Sequence, residues 1–261
     1  MNNAKPLWVA VTGKGGSGKS VISGTLARIL ARRGYNVLAL DSDPMPGLAL
    51  SLGAEEPADP PLNAAAENYE KFRWRLKKGI GPVRAIQRFS TEAPDGVRLL
   101  TLGKADKDGL THIQGSVLAY HDAVNRLDQA KTFRDWVLIG DVPAGPRQVG
   151  AGFAAFAKTY LIVVEPGWAS ALAARRVARV ARARGVTDAR FIASKVEGAR
   201  DVKHVEKLVG HSVFASVPKD DAVSQAEREG CALLDAAPES SAVDAIERLA
   251  DKLTARRLPK R

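Results

Sequence analysis

Between an apolar run, LWVAVT from Leu7, and a helix-patterned stretch, VISGTLARIL from Val21, the chain carries GKGGSGKS, residues Gly13 to Ser20. A glycine turn that feeds a strand into a helix constrains the fold strongly. It specifies a β–α unit whose first helical N–H groups point at an anion. Two motifs share these letters. Gly13, Gly15 and Gly18 spell the dinucleotide-binding G-x-G-x-x-G, with Asp41 nominally placed to hold a ribose. Gly13, Gly18, Lys19 and Ser20 spell the phosphate-binding G-x-x-x-x-G-K-S, in which the lysine meets a β/γ-phosphate and the hydroxyl a magnesium ion. Only the second motif uses Lys19 and Ser20, so the loop reads as a P-loop.

The rest of the chain repeats the same rhythm. Further strand candidates are NVLAL (from Asn36), VRLLTL (from Val97), DWVLIG (from Asp135), TYLIVV (from Thr159), ARFIAS (from Ala189) and SVFASV (from Ser212). Unbroken apolar runs of this kind suit parallel strands covered on both faces. Amphipathic stretches lie between them, such as Val21, Ile22, Leu26, Ile29 and Leu30 closed by Gly34. The expectation is an α/β fold, a doubly wound and mostly parallel sheet of about seven strands with helices on both faces. At 261 residues it fits a single domain spanning 1–261. Residues 55–94, proline-rich and then charged through KFRWRLKKG, read as a surface insertion. Lys71, Arg73, Lys77 and Lys78 there suit either a solvated helix face or an anionic partner.

No run reaches the ~18 apolar residues of a membrane span. The start, MNNAKPLWVAV, carries no export pattern, so a soluble, cytoplasmic chain is expected. Cys231 is the one cysteine, which excludes an internal disulfide and any C-x-x-C metal pair. It reads as a small, partly buried core residue. Lys and Arg outnumber Asp and Glu by 39 to 29, and the net charge of +10 favours anionic partners.

A second lysine, Lys14, sits inside the loop. With it, GKGGSGKS resembles the deviant P-loop of the MinD/ParA group of ATPases, which includes the carbon monoxide dehydrogenase accessory (CooC-like) ATPases. LALDSDPMPGLALSLG from Leu38, DWVLIGDVPAG from Asp135, LIVVEPGWASALAARRV and VPKDDAVSQAEREG resemble later elements of that group in order. The resemblance implies ATP and Mg2+ as cofactors and a set of residue roles. Gly13, Lys14, Gly15, Gly16, Ser17, Gly18, Lys19, Ser20 and Val21 would wrap the triphosphate. Ser20 and Asp141 would serve the magnesium, with Asp41 supporting its shell. Asp43 would orient the attacking water, a sufficient role because phosphoryl transfer needs positioning more than proton abstraction. Lys14 would reach the nucleotide of a second copy, making an ATP-dependent homodimer. Gly47 and Pro143–Gly145 would relax when the γ-phosphate leaves. Relatives read adenine with an Asn-Lys pair. Here Ser194 and Lys195 stand in that place, with Pro218 as the other wall, which leaves adenine against guanine open.

Several downstream roles compete. Metalloenzyme maturation through an unidentified client protein fits the CooC-like pattern, although GKADKDGLTHIQGS lacks the C-x-C pair of those relatives. His112 alone makes a poor soft-metal site. Positioning on non-specific DNA would use Arg175, Arg179 and Arg182, one helical stripe opposite Val177, Ala178 and Ala181. Membrane positioning is poorly supported by the tail ERLADKLTARRLPKR, which has no aromatic residue. A non-hydrolysing nucleotide-binding regulator is the remaining reading.

Overall fold

A computed structural model describes residues 6–43, 47–57, 59–70, 73–103 and 110–255. The opening strand β1 (Trp8–Gly13) runs through the glycine loop into α1 (Lys19–Arg32), β2 (Val37–Asp41) and the short α2 (Leu48–Leu52). A hairpin follows, β3 (Ala66–Glu70) with β4 (Arg73–Leu76), then α3 (Pro82–Phe89) and the two-residue β5 (Thr91–Glu92). Alternation resumes with β6 (Arg98–Thr101), α4 (Leu110–Asn125), β7 (Val137–Asp141), α5 (Pro146–Gly150), β8 (Thr159–Val164) and α6 (Trp168–Ala183). It finishes with β9 (Ala189–Val196), α7 (Ala199–Val209), β10 (Val213–Pro218), α8 (Asp221–Glu229), α9 (Leu233–Ala236) and α10 (Ser241–Thr254).

The main sheet has eight strands in the order β10-β9-β8-β1-β7-β2-β6-β5. Its seven parallel strands are the seven read from the sequence, and the eighth, β5, pairs antiparallel with β6 at the edge. Two exposed residues, Thr91 and Glu92, give no periodic signal, which is why the expected count fell one short.

The period of two in each strand explains the unbroken apolar runs. Trp8 and Ala10 of β1, with Leu38 and Leu40 of β2, join one core cluster. Val9, Val11, Val37 and Ala39 point the other way and join a second cluster with Leu26 and Leu30 of α1 and Ile246 and Leu249 of α10. The central strands β1 and β2 are thus buried on both faces, as a doubly wound sheet requires.

The 55–94 segment differs from its expectation. The charged run is not a helix face but strand β4, in which apolar and charged residues alternate: Leu76 is buried and Trp74 half-buried, while Arg75 is exposed and paired with Glu67 at 2.9 Å. Lys77 and Lys78 are exposed, Lys71 lies outside the described residues, and nothing is described for the Arg73 side chain. Leu62, Ala65, Leu76, Ala85 and Ile86 are buried in the same core cluster as Leu100 and Tyr120. The segment is therefore anchored rather than simply laid over the surface. Trp74 packs so closely on α4 that a Cβ at Gly115 would lie 2.9 Å from its ring.

In α6, Arg175, Arg179 and Arg182 are exposed and Val177, Ala178 and Ala181 buried, as the stripe predicts. Leu249 and Leu253 of α10 are core residues, at 0% and 2% exposure, and Leu258 lies outside the described residues. No described helix is long and apolar enough to cross a membrane.

Candidate functional site

Strand register assembles the site at the carboxyl ends of the strands, where open α/β sheets hold their ligands. Asp41 closes β2 directly opposite Asp141, which closes β7. Asp141 in turn lies opposite Val11 of β1, and Gly13 lies opposite Val163 of β8. Residues 100 to 150 positions apart in sequence are thereby neighbours in one row.

The loop is shaped by its glycines. Gly16 and Gly18 sit at φ 77° and 88°, left-handed values that a side chain would strain. At Gly13 the limit is contact: a Cβ would lie 2.5 Å from the Val163 carbonyl oxygen. Ser17 Oγ donates to the Lys14 carbonyl oxygen at 2.9 Å and its N–H to the same oxygen at 3.3 Å, closing the turn. The Lys14 side chain is exposed, whereas Lys19 is 8% exposed and donates to the Lys14 carbonyl at 3.5 Å.

The loop then opens α1 in a way that suits an anion. Its N-cap, Gly18, offers no side-chain acceptor, the first turn holds no acid, and the first residue is the buried Lys19. A helix start of this kind leaves its N–H groups and the positive end of its dipole for a ligand to satisfy.

Beneath the loop, Ser20 Oγ donates to Asp141 Oδ2 at 2.5 Å. The other carboxylate oxygen, Oδ1, is buried with no hydrogen-bond partner among the described residues. Asp41 is fully buried, accepting from the Asp43 N–H at 3.0 Å and the Leu48 N–H at 3.1 Å. Burial raises both aspartate pKa values. For Asp41 the Asp141 charge adds to the rise, while for Asp141 the Ser20 hydrogen bond and the Lys19 charge work against it. A hydroxyl, two crowded carboxylates and an unsatisfied oxygen fit a hard divalent cation such as magnesium, which takes few protein oxygens and keeps its waters. Among the described residues no group of three or more His, Cys, Asp and Glu side chains forms a metal cage. The His112 side chain is not among the described ones.

Beside the loop lies a cleft of about 300 Å3. Gly16, Gly18, Lys19, Ser20, Val21 and Lys195 line it, with Gly47 and Leu50 on one wall and Val223, Ser224 and Glu227 on another. Ser17 is buried within the turn, and Lys14 and Gly15 face outward. Asp43 is half-buried beside Asp41, and residues 44–46 lie outside the described ones. Pro218 ends β10 and does not line the cleft. Ser194 is 3% exposed, its Oγ lies 3.3 Å from where a Gly18 Cβ would sit, and it is not among the residues lining the cleft.

Two features were not read from the sequence. Lys195, at φ 56°, donates from Nζ to the Gly16 carbonyl at 2.6 Å and pairs with Glu165 at 2.9 Å, locking the loop to β8 and β9. Glu165 was visible only as part of LIVVEP, with no sequence signal of its own. The α8 wall carries polar side chains that an amphipathic pattern does not single out. Cys231, read as a small, partly buried core residue, is half-buried and lines the cleft.

The model of the CobQ/CobB/MinD/ParA nucleotide binding domain matches residues 8–234. The carbon monoxide dehydrogenase accessory protein CooC of Rhodospirillum rubrum is 29% identical over 244 residues, 88% of this chain and 90% of that protein. An ATP-binding protein of Methanocaldococcus jannaschii is 28% identical over 235 residues, covering 84% and 88%. Among solved structures, the septum site-determining protein MinD of Pyrococcus horikoshii, complexed with Mg-ADP, shares the fold at a TM-score of 0.70. It is 20% identical and covers 95% of this chain and 96% of its own. The chain therefore belongs to the CobQ/CobB/MinD/ParA nucleotide binding domain family and has its P-loop ATPase fold.

Proposed function

We propose that the chain is a magnesium-dependent ATPase whose nucleotide state controls pairing of two copies, and that the pair acts on a client protein in metalloenzyme maturation. The observation that carries this reading is the Ser20–Asp141 contact beneath the uncapped start of α1, with one Asp141 oxygen left unsatisfied. Phosphate and cation are what such a start and such an oxygen lack.

The N–H groups of Lys14 to Ser20, flanked by Gly13 and Val21, bind the phosphates, and Lys19 draws charge off the β and γ groups. Ser20 and Asp141 hold the magnesium with Asp41 behind them. When bound, the ion neutralises charge developing on the transferred phosphoryl group. Asp43 aligns the attacking water, and the half-exposed Lys195 borders the base. Lys14, exposed on the loop, supplies its charge to the nucleotide of the second copy, as an arginine finger does. Loss of the γ-phosphate removes what both copies grip and relaxes the loops holding Gly47 and Pro143–Gly145.

The CooC relative supports maturation as the client process. With Cys231 as the one cysteine, a thiolate pair for carrying the metal is absent from this chain, so the client is an apo-enzyme rather than the metal. The exposed arginines of α6 favour a second reading, positioning on DNA phosphates, which predicts retention that falls steeply with salt. Size-exclusion chromatography tests the principal reading. Elution as a dimer with Mg-ATP and as a monomer with Mg-ADP supports it, and one elution position under both conditions refutes it.

A further inference from the structure

At the opposite, amino-terminal edge of β9 and β10 lies a second cleft, of about 390 Å3. Arg182, Arg190, His211 and Lys252 converge on it, with Ser212 and the Phe214 ring between them. We propose that this cleft binds a compact phosphorylated small molecule, at a site separate from the nucleotide loop. Its volume lies within the range of small-molecule pockets.

The basic side chains are held in place before any ligand arrives. Arg190 is fixed by Asp188 at 2.7 and 3.0 Å and lies 4.3 Å over the Phe214 ring. Lys252 donates to the Phe214 carbonyl at 2.9 Å, and the His211 ring stacks on Phe191 at 5.6 Å. Arg182 Nη2 lies 3.3 Å from His211 Nε2. Arginine has no acceptor, so this contact joins two groups that bond only when the imidazole offers its lone pair. Preorganised cations of this kind need less ordering to grip an oxyanion.

Charge balance points to an anion. Asp188 is engaged by Arg190 and Thr159, Glu206 accepts from the Val213 N–H, and Asp251 pairs with Arg33. Among the described residues no carboxylate pairs with Arg182 or Lys252. Basic residues often sit in the last turn of a helix to offset its dipole, and Arg182 and Lys252 occupy such positions in α6 and α10. Yet neither bonds its own terminal carbonyls: one reaches His211 and the other the backbone of β10. A concave site of this size admits a phosphate with a small organic group but not a duplex.

The test is calorimetric titration of pyrophosphate into the full chain carrying Lys19→Ala, which disables the loop, with wild type saturated in Mg-ADP as the parallel sample should that variant fold poorly. One saturable site is expected. Arg182→Ala and Lys252→Ala, checked for unchanged circular dichroism, should each weaken it at least tenfold. No saturable site, or an affinity indifferent to both substitutions, overturns the proposal. So does a short DNA duplex that displaces pyrophosphate through the same two residues.

Discussion

Lys195 Nζ donates to the carbonyl oxygen of Gly16, 179 positions earlier, at 2.6 Å, and the same ammonium pairs with Glu165. One side chain thus fixes the phosphate loop against two strands. Its half-exposure limits what the bond is worth.

Lys195→Met should therefore weaken nucleotide binding by roughly fivefold, about 1 kcal/mol for a partly solvated charge-assisted bond. Fluorescent nucleotide titration measures it. Glu165→Gln, which leaves the Gly16 bond in place, should cost less. Equal losses in both variants would show that the ion pair, not the loop contact, is what matters.

Arg28 is the buried tie between α1 and two distant segments. Its guanidinium grips both oxygens of Asp235 at 2.6 and 2.7 Å and meets Asp95 at 2.6 Å. The two carboxylates are partly solvated, so Arg28→Met should cost about 2 kcal/mol, less than the ~3–5 kcal/mol of a fully buried broken pair. The Arg28 hydrogen bond holds the Asp235 pKa below its ordinary value. A depressed carboxylate stabilises the fold above its unfolded pKa, and that contribution is lost as pH falls through the folded one. Thermal melts from neutral pH to acid should show wild type losing an increment that Arg28→Met has already lost.

The buried aspartates work with the opposite sign. Their raised pKa values mean that stability present in acid is lost as pH rises from the ordinary carboxylate range through the raised ones. Asp41→Asn should raise the melting temperature of metal-free protein at neutral pH while lowering ATP turnover. An unchanged or lower melting temperature would show that the carboxylate is not a cost to the fold.

Gly24 of α1 packs against Ser51 of α2, and a Cβ there would lie 2.7 Å from Ser51 backbone and side-chain atoms. Helix propensity alone favours alanine by about 1 kcal/mol, but overpacking costs ~1–3 kcal/mol. Gly24→Ala should lower the melting temperature on balance. A rise would mean that the two helices are not in contact.

The parts legible in the sequence are those that a local pattern encodes. The seven parallel strands announce themselves because most of them are buried on both faces, and the glycine loop because its turn tolerates few alternatives. β5 has two exposed residues and no pattern. The charged run at Arg73–Leu76 looked helical because its charges outweighed a period of two that only Trp74 and Leu76 carry. Within the candidate site, Asp41 and Asp141 were visible as strand ends. The Lys195–Glu165–Gly16 tie was not, because three segments far apart in sequence meet only through the order of the strands. The resemblance makes Ser194 a base contact, while its nearness to Gly18, with Oγ 3.3 Å from a Cβ built there, joins two distant segments and is a relation no local pattern reveals.

The account rests on two copies sharing a site, and subunit mixing tests that most directly. Lys14→Ala and Asp43→Ala should each be nearly inactive alone. In a mixed pair, the Lys14→Ala copy keeps its own Asp43 and receives Lys14 from its mate, so one site of two is whole. Equal mixing of two variants that pair at random should restore about a quarter of the wild-type ATP turnover. A mixture no faster than either variant alone, or a Lys14→Ala protein that turns over ATP like wild type, would contradict it.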